Sequence, residues 1–205
     1  MATLFKYLLV LCCFILAAPV SQREDVSEQK EKWIILNDTD CTIEGKTNVG
    51  AFDCQINGYA AKDTLTFQPH NISHTTVGVN GILHFDVAQF KVHPSLMAHD
   101  FKATLDSKTY PQITIEMEEL DKLPNEEMEN ELIKSVVSIH LRGAVKRMVV
   151  DCQFRKKADH VMQVSCAPML NFSDFGIIPP KRFGGLIKTD NALKVVLHFT
   201  MQRIV

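Results

Sequence analysis

The side chains able to do chemistry in this 205-residue chain are few and scattered. Six cysteines are present, and Cys12 and Cys13 lie inside an N-terminal apolar run. The other four, Cys41, Cys54, Cys152 and Cys166, have spacings of 13 and 14. Four cysteines allow three connectivities. A hairpin turning near Lys156–His160 sets Cys152 close to opposite Cys166, so the favoured pairs are Cys152–Cys166 and Cys41–Cys54, with free buried thiols as the alternative. No CxxC and no paired histidines accompany them, so a zinc site is not expected. The eight histidines are dispersed, as His70, His74, His84, His93, His99, His140, His160 and His198. His84, His140 and His198 fall on polar strand faces.

Catalytic signatures are absent. There is no G-x-S-x-G, no HExxH, no P-loop and no dinucleotide fingerprint. Glu118 and Glu119 are adjacent, so on a strand they point to opposite faces and cannot act as a pair. Gly184-Gly185 lacks the strand-to-helix context of a phosphate loop. Asn37-Asp-Thr39, Asn71-Ile-Ser73 and Asn171-Phe-Ser173 fit the N-glycosylation pattern, which matters only in a eukaryotic source. No enzyme activity, catalytic residue or metal is expected.

Composition bounds the remainder. Hydrophobic residues make up 46% and charged residues 22%, with 22 Lys+Arg against 24 Asp+Glu. These values exclude wholesale disorder, a fibre and a multi-span membrane protein. The near-neutral balance argues against nucleic acid as a partner. Lys6, the apolar run Tyr7–Ala18 and the small residues after it read as a cleaved secretory signal over about residues 1–22. The run is too short to span a bilayer, which takes about 20 apolar residues. Residues 23–32 read as a flexible polar leader, and one domain over 33–205 follows. Export places the protein in the periplasm or outside the cell, where disulfides form.

The elements that must position any site are strands. Leu83 and Phe85, Ile113, Ile115 and Met117, and Ile139 with its neighbours Val137 and Leu141 alternate with polar residues at period two. So do Met148 and Val150, Met162 and Val164, and Leu197 and Phe199. Shorter strands are expected near Cys41–Lys46, Phe52–Ile56 and Thr64–Gln68. One apolar and one polar face per strand fits an antiparallel sheet. One helix interrupts them: Met97, Phe101 and Leu105 recur at i, i+4, i+8. The acidic stretch Asp121–Glu131 reads as an exposed hairpin loop. Eight or nine strands and one helix leave a sandwich or a closed barrel. A barrel of about eight strands fills with side chains or holds one small ligand. The candidate pocket comprises Phe52, Phe67, Leu83, Phe85, Met97, Phe101, Ile113, Ile115, Met117, Ile139, Met148, Val150, Met162, Val164, Leu197 and Phe199.

Three stretches resemble the YceI-like proteins. "MAHDFKATLDSKTYPQITIE" (Met97–Glu116) matches the family's helix-to-strand pattern at Asp100, Phe101, Leu105, Tyr110, Pro111 and Ile113. "SIHLRGAVKRMV" (Ser138–Val149) is similar to its hairpin at Leu141, Gly143 and Val145. "FSDFGIIPPKRFGGLIKTDNALKVVLHF" (Phe172–Phe199) is similar to its C-terminal part at Asp174, Phe175, Gly176 and Ile177. "IEGKTNVGAFDC" (Ile43–Cys54) looks like the start of a Bacteroidetes-type variant. The Cys41/Cys54 pair and the long acidic loop depart from better-known members. The resemblance implies an all-β, eight-stranded, lipocalin-like antiparallel barrel with one short helix near residues 94–107. It implies binding or transport of an isoprenoid-like lipid and no cofactor beyond it. The expected partners are this hydrophobic small molecule and, transiently, a membrane; the oligomeric state, a dimer included, is open. The alternatives are an interaction barrel filled by its own side chains, or a lipid isomerase or cyclase.

Overall fold

A computed structural model describes residues 30–69, 76–125 and 127–204. The signal over 1–22, most of the leader, His70, His74 and the triplet beginning at Asn71 lie outside these residues. Strand β1 (Glu31–Ile35) begins inside the span read as leader. The strands that follow are β2 (Asp40–Thr47), β3 (Gly50–Asn57), β4 (Thr64–Pro69), β5 (Val77–Asp86) and β6 (Lys91–His93). After the helix α1 (Ala98–Thr104) come β7 (Gln112–Leu120), β8 (Glu131–Leu141), β9 (Ala144–Ala158) and β10 (Val161–Cys166). The short β11 (Met169–Asn171) and β12 (Lys181–Arg182) precede the 18-residue β13 (Ile187–Ile204).

All pairings are antiparallel. Strands β1, β4, β5, β7, β8, β9, β10 and β13 form a ring that closes through β1 on β13. The eight-stranded barrel expected from the sequence is therefore the fold. Period-two alternation drives it: the inward set, such as Leu83 and Phe85 on β5 or Cys152 and Phe154 on β9, is almost fully buried. The residues between them are polar or charged, so either face out of register would cost burial along the whole strand.

The last strand is longer than any partner on one of its edges. Met201–Ile204 pair with β1, whereas Thr189–His198 pair with β2. Strand β2 continues into β3, and β3 into β6. The barrel thus has two unlike halves. Its narrow end is filled by Trp33, Phe67, Phe154, Met162 and Met201, each at most 2% exposed. The rings of Trp33 and Phe67 meet edge-on with centroids 6.3 Å apart, a favoured aromatic geometry. Gly81 makes this closure feasible: a Cβ there would collide with the Thr64 carbonyl and with Leu65 of the crossing strand.

The acidic loop plays a larger part than its charge suggests. Its Met128 is 2% exposed and belongs to the core, and the Lys156 amide donates to the Met128 carbonyl at 2.9 Å. The loop therefore closes the narrow end while Asp121, Glu127, Glu129 and Glu131 are exposed. At the wide end β8 and β9 turn through Arg142 and Gly143, both at positive φ, the left-handed pair that suits a two-residue hairpin.

Cys152 and Cys166 sit directly opposite in the β9–β10 ladder and form a disulfide, with Cα atoms 4.5 Å apart. Replacing both with Ser should lower the free energy of unfolding by about 3 kcal/mol, the usual worth of a bridge closing a loop of this length. Denaturant melts of the oxidised protein and the double variant, followed at equal slope, would measure the difference.

Candidate functional site

The wide end holds an apolar cavity of about 90 Å³. Each wall follows from a local rule. The β2–β3 hairpin turns Cys41, Ile43, Phe52 and Cys54 inward. Phe52 lies across the strand from Gly45, and a Cβ at Gly45 would overlap the Phe52 ring; the glycine is what lets the ring lie flat along the wall. Strands β5, β7 and β8 contribute Phe85, Ile113, Ile115, Ile139 and Leu141. Leu170 and the short turn Phe172–Phe175 close a further side. That turn is held by a capping box in which the Asn171 amide donates to Asp174 at 2.9 Å. A second cavity of about 40 Å³ lies deeper and shares Ile115, Ile139 and Val195 with the first.

Helix α1 forms the remaining wall with Met97, Phe101, Thr104 and Leu105. It spans the seam between β6 and the β5–β7 pair, where no strand pairing is made among the described residues. It is weakly anchored, since none of its seven residues is fully buried. Phe101 stacks at a tilt on Phe90, with centroids 5.5 Å apart. Leu105, just beyond its end, is 5% exposed.

Asp100 is the one charged residue lining the cavity among those described. It sits where the cavity meets an outer groove of about 300 Å³, which also touches Met97, Pro180 and Arg182. Arg182 Nε pairs with Asp100, and Arg182 Nη2 donates to the Leu96 carbonyl at 2.9 Å. The bond from Arg182 holds the Asp100 carboxyl below its ordinary range. The tie is thus fully formed above the usual carboxylate pKa and is lost only as pH falls below it. It pins the helix to β12 and pairs the one carboxylate at the cavity's edge.

Cys41 and Cys54 are free and buried, which corrects the expected Cys41–Cys54 disulfide. The register gives the reason: Cys41 faces Ile56, and Cys54 faces Ile43, so the thiols are diagonal rather than opposite. Both thiols are pushed up to about 12, chiefly by burial in apolar surroundings. They belong to the cavity wall as small hydrophobes.

Of the pocket residues expected from the sequence, Phe52, Phe85, Met97, Phe101, Ile113, Ile115 and Ile139 line the main cavity. Leu83, Met117, Val150, Leu197 and Phe199 line the deeper one with Ile115 and Ile139. Phe67, Met162 and Val164 pack in the core, and Met148 is half-buried against it; these four touch neither cavity. Sequence reasoning missed Phe90, Leu170, Phe172 and Phe175 as wall residues. Phe175 was within reach, because it sits in the Asp174–Ile177 match, but Phe90 lies in a loop with no periodicity. The histidines do not converge. His84 Nδ1 is 2.8 Å from Asp63, His198 is 2.8 Å from Ser165, and His140 is 3.4 Å from Glu116. Among the described residues no group of three or more His, Cys, Asp or Glu could hold a metal ion.

A closed antiparallel ring around an apolar lumen defines a lipocalin-like barrel. No protein-family model and no curated protein matches the sequence. Solved structures do share the fold. A polyisoprenoid binding domain from Saccharophagus degradans, implicated in plant cell wall breakdown, superposes with a TM-score of 0.56 at 8% identity, over 83% of this chain and 97% of that one. BcnA of Burkholderia cenocepacia gives 0.57 at 12% identity, over 79% and 95%. This chain therefore has the fold of these proteins, the one that the YceI-like resemblance implies.

Mass mapping with iodoacetamide should find Cys41 and Cys54 unlabelled in the native protein at neutral pH and labelled in denaturant. A thiol near 12 carries on the order of a thousandfold less thiolate at neutral pH than a free one. Labelling should speed up with pH as the thiolate fraction rises. Cys152 and Cys166 should label only after reduction.

Proposed function

We propose that the protein is a non-enzymatic carrier of an apolar, isoprenoid-like lipid, exported through its N-terminal signal and acting in the periplasm or outside the cell. The observation that carries this reading is the lumen wall: a closed barrel whose cavity is lined by aliphatic, aromatic and thiol side chains and Thr104, with its one carboxylate at the rim and paired. A hydrocarbon chain makes almost no hydrogen bonds, so its site needs apolar area alone, worth roughly 25 cal/mol per Å² buried. The shared fold with a polyisoprenoid binding domain supports the same reading.

The volumes set the manner of loading. A cavity of about 150 Å³ is what accommodates a benzene ring, so cavities of about 90 and 40 Å³ admit only part of a lipid chain as they stand. Loading therefore displaces α1, the wall with no fully buried residue. Cleaving the Arg182–Asp100 tie would free it. The filled narrow end also favours a second reading, an interaction barrel packed with its own side chains.

Native purification, organic extraction and mass spectrometry separate the two. Carriage predicts a stoichiometric apolar compound. Phe101→Glu, at a half-buried helix position, should remove it while circular dichroism keeps the β signature. A protein that is empty as purified and takes up no added polyprenol would overturn the carrier in favour of the filled barrel. In the same uptake assay, Arg182→Ala should raise the rate of loading several-fold without changing the final amount, as expected when the Arg182–Asp100 pair holds the closed position.

A further inference from the structure

The wide end carries more exposed apolar surface than a solvated rim requires. Val49 at the β2–β3 turn, Leu96 before the helix, and Phe183 and Leu186 before β13 are between 63% and 76% exposed. Val49, Leu96 and Phe183 border the outer groove of about 300 Å³, which meets the lumen at Met97, Asp100 and Pro180. The rim is also held in place. The Asn48 side chain donates to the Leu186 carbonyl at 2.8 Å and accepts from the Lys188 amide at 2.8 Å, tying two of the three segments together.

The charge of these segments runs against that of the chain. The protein carries a net charge of -2. Yet residues 46–50, 93–99 and 176–189 contain Lys46, Lys181, Arg182 and Lys188 and no Asp or Glu. The nearest carboxylates along the chain are Glu44, Asp53, Asp100, Asp174 and Asp190; Glu44 is taken by Lys194, Asp100 by Arg182 and Asp174 by Lys146. Lys46, Lys181 and Lys188 are exposed, and among the described residues none of them forms an ion pair. Protruding large apolar side chains ringed by unpaired cations are what an anionic bilayer surface selects: the apolar groups enter the headgroup boundary and the cations meet lipid phosphates.

We propose that this rim is a docking surface for anionic membranes, which seats the mouth of the barrel on the bilayer so that a lipid passes between membrane and lumen without crossing water. The proposal rests on the carrier reading and adds the partner and the face it uses. A protein partner would want a larger continuous patch and fewer unpaired lysines at its centre.

Flotation with phosphatidylcholine vesicles, with and without phosphatidylglycerol, tests it. Wild-type protein should float with the anionic vesicles, and more weakly as salt is raised. Phe183→Ser/Leu186→Ser should lose at least about tenfold in partitioning, and Lys181→Glu, a change of two charges at roughly fivefold each, about 25-fold. All these positions are exposed, so the fold is retained. The double variant should still take up polyprenol added from detergent to the same final amount as the wild type, which separates failure of docking from failure of carriage. The inference is overturned if wild-type protein ignores anionic vesicles, if the variants float equally well, or if sizing shows that the rim residues hold a dimer that the double variant splits.

Discussion

The structure depends on one strand being longer than its neighbours can match. Along one edge, β13 gives its C-terminal residues to β1 and the rest to β2. Because backbone donors and acceptors along a buried ladder must be paired, the first two strands are placed by this division. At the end held by β1 the ring closes at eight strands, whose interior is just wide enough for side chains to fill. At the end held by β2 the sheet runs on through β3 and β6 and does not return to β5. The helix then has a seam to cover, and the space beneath it becomes the cavity.

That division also explains why the wall can be so nearly free of polar groups. The narrow end supplies packing, with Trp33, Phe67, Phe154, Met162 and Met201 each at most 2% exposed. The wide end is thereby released from close packing, at the cost of weaker dispersion contacts along its walls. The ionic groups near it are moved outward in pairs, Arg182 with Asp100 and Lys146 with Asp174. The thiols stay protonated at neutral pH because burial penalises their charge. The result is a lumen with little chemistry and much apolar area.

The strands were legible because period two is a strong signal where one face is buried. Leu83–Phe85, Ile113–Met117 and Val150–Phe154 all lie where alternation puts them. The division of β13 was not legible, because pairing partners are set by long-range register that alternation does not carry. Hence the inward residues were found but not sorted. Phe67 and Met162 share the inward face with Phe52 and Phe101, and only the topology shows that the first two fill the narrow end while the others line the cavity. The diagonal placement of Cys41 and Cys54 was hidden for the same reason: a spacing of 13 fits several registers. Met128 was masked by the acidic residues on either side of it.

The seam beneath α1 is spanned by side chains and not by a backbone ladder. Bore and strand number are therefore uncoupled in this barrel. Widening an ordinary closed ring means adding strands or changing shear, each of which re-registers every pair. Here a longer or shorter insert between β6 and β7 alters the aperture alone. The entropic charge for such an insert grows only with the logarithm of its length. A lineage built on this scaffold can change the girth of its guest by indels in one connection, leaving the pairing of every strand as it is.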